Sequence, residues 1–190
     1  MITETKAVRI LLGVRNGDDT AISELVTTHQ NRVYAYALAV VSDPRDAEEV
    51  AQDTFVRAIR ALRTQYSEVQ VVDLAVRSWL LKIARNLALN RIRARKSRLL
   101  IVPFENVPEV ADLSDPERTV VDGELDRMRT AFGRVDEITR EWLTLRFISD
   151  LTYAEIAVIR GGTESAARGK VFRSLARLRE EFLEDSHAEL

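Results

Sequence analysis

The chain has 190 residues, room for one mid-sized domain or two small ones, and 28 basic against 30 acidic residues leave a formal net charge of -2. The absence of Cys excludes disulfides and thiolate metal sites, and the only two histidines, His29 and His187, are too far apart in sequence to suggest a His-based metal site, so no metal or cofactor is expected. No apolar run approaches the ~18 residues that span a membrane, and the N-terminus lacks a signal-peptide pattern, so the expectation is a cytoplasmic protein with no membrane insertion.

Few aromatics, few Gly and Pro, and much Ala, Leu, Arg and Glu favour helices over sheets. Residues 4–40 have helical periodicity, broken at Gly17-Asp18-Asp19, with Asp19 or Thr20 as the cap of the next helix. Asp43-Pro44 is a sharper start: an N-cap followed by Pro at the first helical position. Asp46, Glu48 and Glu49 then sit where the helix dipole favours anions. This helix should run to about Leu62, burying Ala47, Val50, Ala51, Phe55, Ala58, Ile59 and Leu62. Residues 63–75 read as a loop with some order over Val69–Leu74. A helix from Val76 to about Arg98 follows, apolar at Trp79, Leu80, Ile83, Leu87 and Ile92.

Residues 99–118, with Pro103, Pro108 and Pro116, read as a linker. Helices are expected over 119–133 and 136–148. Thr152-Tyr-Ala-Glu155 is a capping box opening a short helix, Gly161-Gly162 ends it, and Thr163 can cap a longer one carrying Ala166, Ala167, Val171, Leu175 and Leu178 inward. A short capped helix, a glycine turn and a longer basic helix have the form of a helix-turn-helix, whose second helix enters the major groove N-terminus first. An antiparallel pair in a bundle has the same pattern.

Net charge hides segregation. Residues 77–98 hold eight basic residues and no acid, and residues 168–179 hold five and no acid, while residues 103–126 hold eight acids against Arg118 alone. Cationic blocks are an electrostatic footprint for nucleic-acid phosphates, although solvated helix faces account for either block alone. No phosphate loop, Ser/His/Asp order or Cys nucleophile is present, and the pairs Glu48/Glu49 and Glu180/Glu181 suit solvent exposure, so no enzyme activity is expected.

Three segments, in order, carry a resemblance. Asp46-Ala-Glu-Glu-Val-Ala-Gln-Asp-Thr-Phe55 resembles the helix by which bacterial sigma factors grip RNA polymerase. Trp79-Leu-Leu-Lys-Ile-Ala-Arg-Asn-Leu-Ala88 resembles the promoter-melting helix of the same domain. Leu145-Arg-Phe-Ile-Ser-Asp-Leu-Thr-Tyr-Ala-Glu-Ile-Ala157 resembles the entry to the C-terminal helix-turn-helix. The length suits the extracytoplasmic-function (ECF) group. The resemblance implies an all-α fold of two small helical domains: a region 2 bundle over 1–98 and a region 4 helix-turn-helix over 119–190, joined by a flexible acidic linker over 99–118.

It also implies roles. Asp46, Glu49, Gln52, Asp53 and Phe55 would lie on or under the surface docking on the clamp helices of the β′ polymerase subunit. Arg77, Trp79, Lys82, Arg85, Asn86, Arg91, Arg93 and Arg95 would serve the −10 element, with the 64–76 loop and Asn86 recognising an unstacked base. Thr163, Glu164, Ser165, Arg168, Lys170 and Arg173 would serve the −35 duplex. The implied partners are core RNA polymerase (β′ clamp helices and β flap), promoter DNA and an anti-sigma factor; the polymerase does the chemistry. The 63–78 stretch is longer than the family's usual one by about five residues, and Gly162 replaces a common apolar turn residue. A helix-turn-helix regulator acting without polymerase, and an inactive sigma-like scaffold, remain alternatives. The sigma reading requires the arginines of the 77–98 and 164–179 helices to stay out of a common core.

Overall fold

A computed structural model describes residues 2–99 and 123–188; all regular structure among them is helical. Residues 100–122, nearly the whole expected linker, lie outside the described residues.

Helix α1 (Ile2–Arg15) ends in a turn at Gly17, whose φ of 85° suits a residue without Cβ. Helix α2 (Asp19–Val41) is capped by Asp18, not Asp19 or Thr20 as expected. The cap has to stand outside the helix on an extended backbone, and from there the Asp18 carboxylate accepts the Thr20 N–H at 2.8 Å. Helix α3 (Pro44–Thr64) starts as the sequence indicates: Asp43 accepts the Asp46 N–H at 2.9 Å, and its expected stripe is buried apart from Ile59, which is partly so. The 63–75 stretch contains a short helix, α4 (Glu68–Val72), with a capping box between Ser67 and Gln70 that the sequence reading missed. Helix α5 (Val76–Leu99) follows. Helices α2, α3 and α5 form the bundle, and α1 lies across α2 and α3.

In the second half, α6 (Gly123–Arg134), α7 (Glu137–Leu143) and α8 (Tyr153–Arg160) all pack on the long α9 (Glu164–Ala188). Asp136 caps α7, and the Thr139 N–H and hydroxyl that it accepts hold its carboxyl below the usual range. The helix expected over 136–148 is continuous from Glu137 to Ile148, but only its first part, α7, is α-helical. After Leu143 the chain widens into a π-turn, Thr144–Ile148, in which the Ser149 N–H reaches back five residues to the Thr144 carbonyl at 2.8 Å. Arg146 fastens the exit by donating to the Leu151 carbonyl at 2.9 Å.

The capping box of α8 is present, with Thr152 N–H donating to Glu155 at 2.9 Å. Gly161 and Gly162 turn the chain at φ 75° and 129°, and a Cβ at either would meet open space. Gly162 therefore serves a backbone conformation that an apolar residue would strain. In α9, Ala167 and Val171 are buried as expected; Ala166 and Leu175 are exposed instead, because the inner line continues through Ser174.

The two halves share one core, running from Ile10 to Val171. Polar contacts cross between them as well, among them Tyr36 to Glu141 at 2.7 Å, Arg85 to Glu141 at 2.9 Å, Arg140 to Ser42 at 2.6 Å and Arg77 to Glu155 at 3.7 Å.

His29 is buried on α2, and its Nδ1 finds no hydrogen-bond partner. Burial, with the Arg32 and Arg77 guanidiniums nearby, pushes its imidazole down to about 4. An imidazole depressed on folding is neutral in the folded chain while the unfolded chain still takes up its proton. Stability should therefore fall as pH drops from about 6.5 to about 4, by up to about 3 kcal/mol. Denaturant melts across that window measure the loss, and a His29→Gln chain should show a flatter profile; an equal slope in the variant would assign it elsewhere.

Candidate polymerase and promoter interfaces

The outward face of α3 presents Gln52 and Asp53 to solvent. Asp46 and Glu49 are on the same side but already engaged. Arg91, reaching across from α5, donates through Nε to Asp46 at 2.7 Å and through Nη2 to Glu49. These carboxylates, Asp46 first, raise the guanidinium's pKa further. Arg91 thus ties α5 to α3 rather than lying free for a DNA backbone. Phe55 is 7% exposed and belongs under the surface, as half of its expectation had it. Between α3 and α5 lies a shallow cleft of about 650 Å³ lined by Asp46, Glu49, Asp53, Asn90, Arg91 and Arg95.

Along α5, Lys82, Asn86, Arg93 and Arg95 are exposed. The other −10 candidates are held. Trp79 donates from Nε1 to the Tyr66 hydroxyl at 3.0 Å and meets that ring edge-on, with centroids 5.6 Å apart. Tyr66 is fixed in turn, its carbonyl accepting from Arg15 Nε at 3.0 Å. The longer 63–78 stretch is therefore anchored where it approaches Trp79. Arg77 faces Glu155, and Arg85 is mostly buried against Glu141.

In the helix-turn-helix, Thr163 caps α9 by accepting the Ala166 N–H at 3.2 Å. Glu164, Ser165, Arg168, Lys170 and Arg173 are all exposed along its first turns. Arg168 lies 3.4 Å from Glu164 and stacks over the Tyr153 ring at 5.3 Å, which preorients its guanidinium. Among the described arginines required at the surface, Arg85 alone is mostly buried, and it goes to one carboxylate rather than into apolar core.

Sequence reasoning passed over three residues. Tyr66 carried no periodic signal because it sits between helices. Phe172, 73% exposed beside Arg173, had been counted with neither the inner line nor the polar face. Glu141 lies within a stretch read only as helix, and its side chain is 5% exposed.

Two family models match the chain: sigma-70 region 2 over residues 25–98 and sigma-70 region 4 over residues 125–178. The chain belongs to the ECF group of sigma-70 factors. The RNA polymerase sigma-H factor of Pseudomonas aeruginosa is 28% identical over 183 residues, 92% of either chain. The ECF RNA polymerase sigma-E factor of Escherichia coli is 29% identical over 171 residues, covering 85% of this sigma factor and 86% of that one. Two solved structures share the fold. One is CnrH in complex with the cytosolic domain of CnrY (TM-score 0.66, 24% identity, 95% of this chain and 97% of that). The other is the sigma factor RpoE of Bartonella quintana in complex with the anti-sigma factor NepR (TM-score 0.67, 21% identity, 84% and 94%). In this sigma factor, region 2 corresponds to α2–α5 and region 4 to α6–α9.

The Arg91 contacts make a checkable distinction. Arg91→Ala should lower stability by about 0.5–1 kcal/mol, a modest value because the pair is partly solvated. Thermal melts measure it. Unchanged stability, together with a salt slope for promoter binding reduced by about one, would return Arg91 to phosphate contact.

Proposed function

We propose that this sigma factor docks on the β′ clamp helices of core RNA polymerase through Gln52 and Asp53 on α3, with Asp46 and Glu49 shaped by Arg91 and Phe55 supporting them from below. It then directs initiation in the cytoplasm at promoters read in two places. Exposed Lys82, Asn86, Arg93 and Arg95 on α5 hold the −10 strand, where an extruded base costs a few kcal/mol that stacking and pocket contacts offset. Arg77, Trp79 and Arg85 complete that surface once their present partners are exchanged. The N-terminal turns of α9 enter the −35 major groove, with Arg168, Lys170 and Arg173 as readers, Thr163, Glu164 and Ser165 at the entry, and Phe172 placed for a thymine methyl.

The observation that carries this reading is segregation by face. Two cationic helical surfaces, on α5 and α9, are solvent-facing, while a separate surface on α3 is acidic and polar. A groove of about 580 Å³ between α2 and the second half is apolar, with Leu38, Phe132, Leu143, Phe147, Ile148 and Leu175 in its walls. It is the surface on which we place the β flap or an anti-sigma helix.

In vitro transcription with purified core polymerase and fragmented genomic DNA tests the proposal. Adding the protein should give discrete start sites, and none would sink it; tight specific binding to duplex promoter by the protein alone would favour a conventional regulator. Asp53→Arg should abolish polymerase docking in a pull-down while leaving the helical content unchanged. Arg168→Ala should cost about 1–3 kcal/mol in promoter affinity of the holoenzyme, measured by competition binding.

A further inference from the structure

The contacts at Glu141 pose a geometric problem. This carboxylate is nearly inaccessible and receives three donors: Tyr36 Oη at 2.7 Å from α2, Arg85 Nε at 2.9 Å from α5, and Arg160 Nη1 from α8. Arg160 belongs to the same half of the chain as Glu141 and is steadied by the Trp142 ring, 4.5 Å away. Tyr36 and Arg85 belong to the other half. A buried carboxylate is tolerated only while such donors surround it. The same junction packs α8 directly on α5, and Ser42 holds Arg140 beside it.

On the sigma-factor reading proposed above, the two DNA elements are centred about 25 base pairs apart, roughly 85 Å of helix at 3.4 Å per step. Helix α9 is only about 38 Å long, and its half of the chain is held to α5 through Glu141 and Glu155. The closed arrangement therefore cannot read both elements of a straight promoter, and it holds one −10 candidate, Arg85, in an internal ion pair.

We propose that Glu141 is an interdomain latch: it keeps the free chain closed by gripping Tyr36 and Arg85, and it must release both before the two promoter elements can be bound together. Arg160 stays with Glu141 in the open form, so the carboxylate is never left bare. Arg85, once released, exchanges Glu141 for the DNA backbone, which makes opening and promoter binding thermodynamically linked. Tyr36 contributes to closure alone. Burial and the adjacent Glu141 charge hold its phenol well above the usual range, so it stays a donor throughout physiological pH.

The chain contains no Cys, so an Ala39→Cys substitution on α2, at a buried position in the wall of the groove that Leu143 also lines, supplies a single thiol that closure protects. Its modification rate is proportional to the open fraction, however small. Tyr36→Phe conserves volume and removes one charge-assisted hydrogen bond, and should raise that rate by about tenfold or more. Ser42→Gly, which suits the left-handed backbone at that position (φ 58°) and frees Arg140, should raise it severalfold. Circular dichroism should remain unchanged in both. In the full chain with Arg60→Cys and Ala176→Cys, spin labels on α3 and α9 should show one short distance when free and a longer one after core polymerase is added. Unchanged thiol rates in both variants, or a label distance that polymerase leaves alone while discrete transcripts form, would overturn the latch. Failure of the sigma-factor reading would look different: no discrete transcripts, with the variant-dependent thiol rates intact.

Discussion

A carboxylate withdrawn from water has to be surrounded by donors, and in this chain that requirement, at Glu141, links segments 105 residues apart in sequence. Its cost in desolvation is met by a phenol and two guanidiniums drawn from α2, α5 and α8. Apolar burial alone would join the halves non-directionally. The polar junction fixes which face of α8 meets which face of α5, and so decides which cations are left outside. Lys82, Asn86, Arg93 and Arg95 remain exposed along α5, while Arg77 and Arg85 turn toward the second half.

The same economy appears within region 2. Arg91 crosses from a cationic helix to the acidic start of another, so Asp46 and Glu49 are not simply a negative patch. They form a partly neutralised edge, and the uncompensated charge on that face moves to Asp53. Charge blocks in the sequence thus interlock in space: the anionic beginning of α3 and the cationic end of α5 close on each other.

How far the sequence carried depends on the range of the interaction. Caps were legible where a local rule was strict. Asp43-Pro44 and Thr152–Glu155 behave as their spacing requires, because a cap is decided within four residues. Asp18 was displaced by one position because three candidate capping residues stand in a row and only backbone geometry chooses among them. Helix α4 was blurred into a loop since five residues cannot establish a period. Exposed members of the sets proposed for DNA, such as Asn86, Arg93, Arg168 and Arg173, came from short-range pattern and family resemblance together. Arg85, Trp79 and Arg91 had the same chemistry but are claimed by Glu141, Tyr66 and Asp46, partners 13 to 56 residues away. Nothing in a local window distinguishes a free arginine from a committed one.

The π-turn at Thr144–Ile148 has a consequence of its own. Each residue of an α-helix advances the chain by about 100° around its axis, so one surplus residue in a turn re-phases everything that follows. Phe147 and Ile148 are exposed there, and the chain then leaves the helix through Ser149–Thr152, with Asp150 at φ 51°. The placement of α8 and α9 against α7 is therefore sensitive to residue count in this connection. Single-residue insertions or deletions between Leu143 and Leu151 would shift α8 and α9 against α7, whereas most side-chain exchanges in the same stretch would leave their bearing intact.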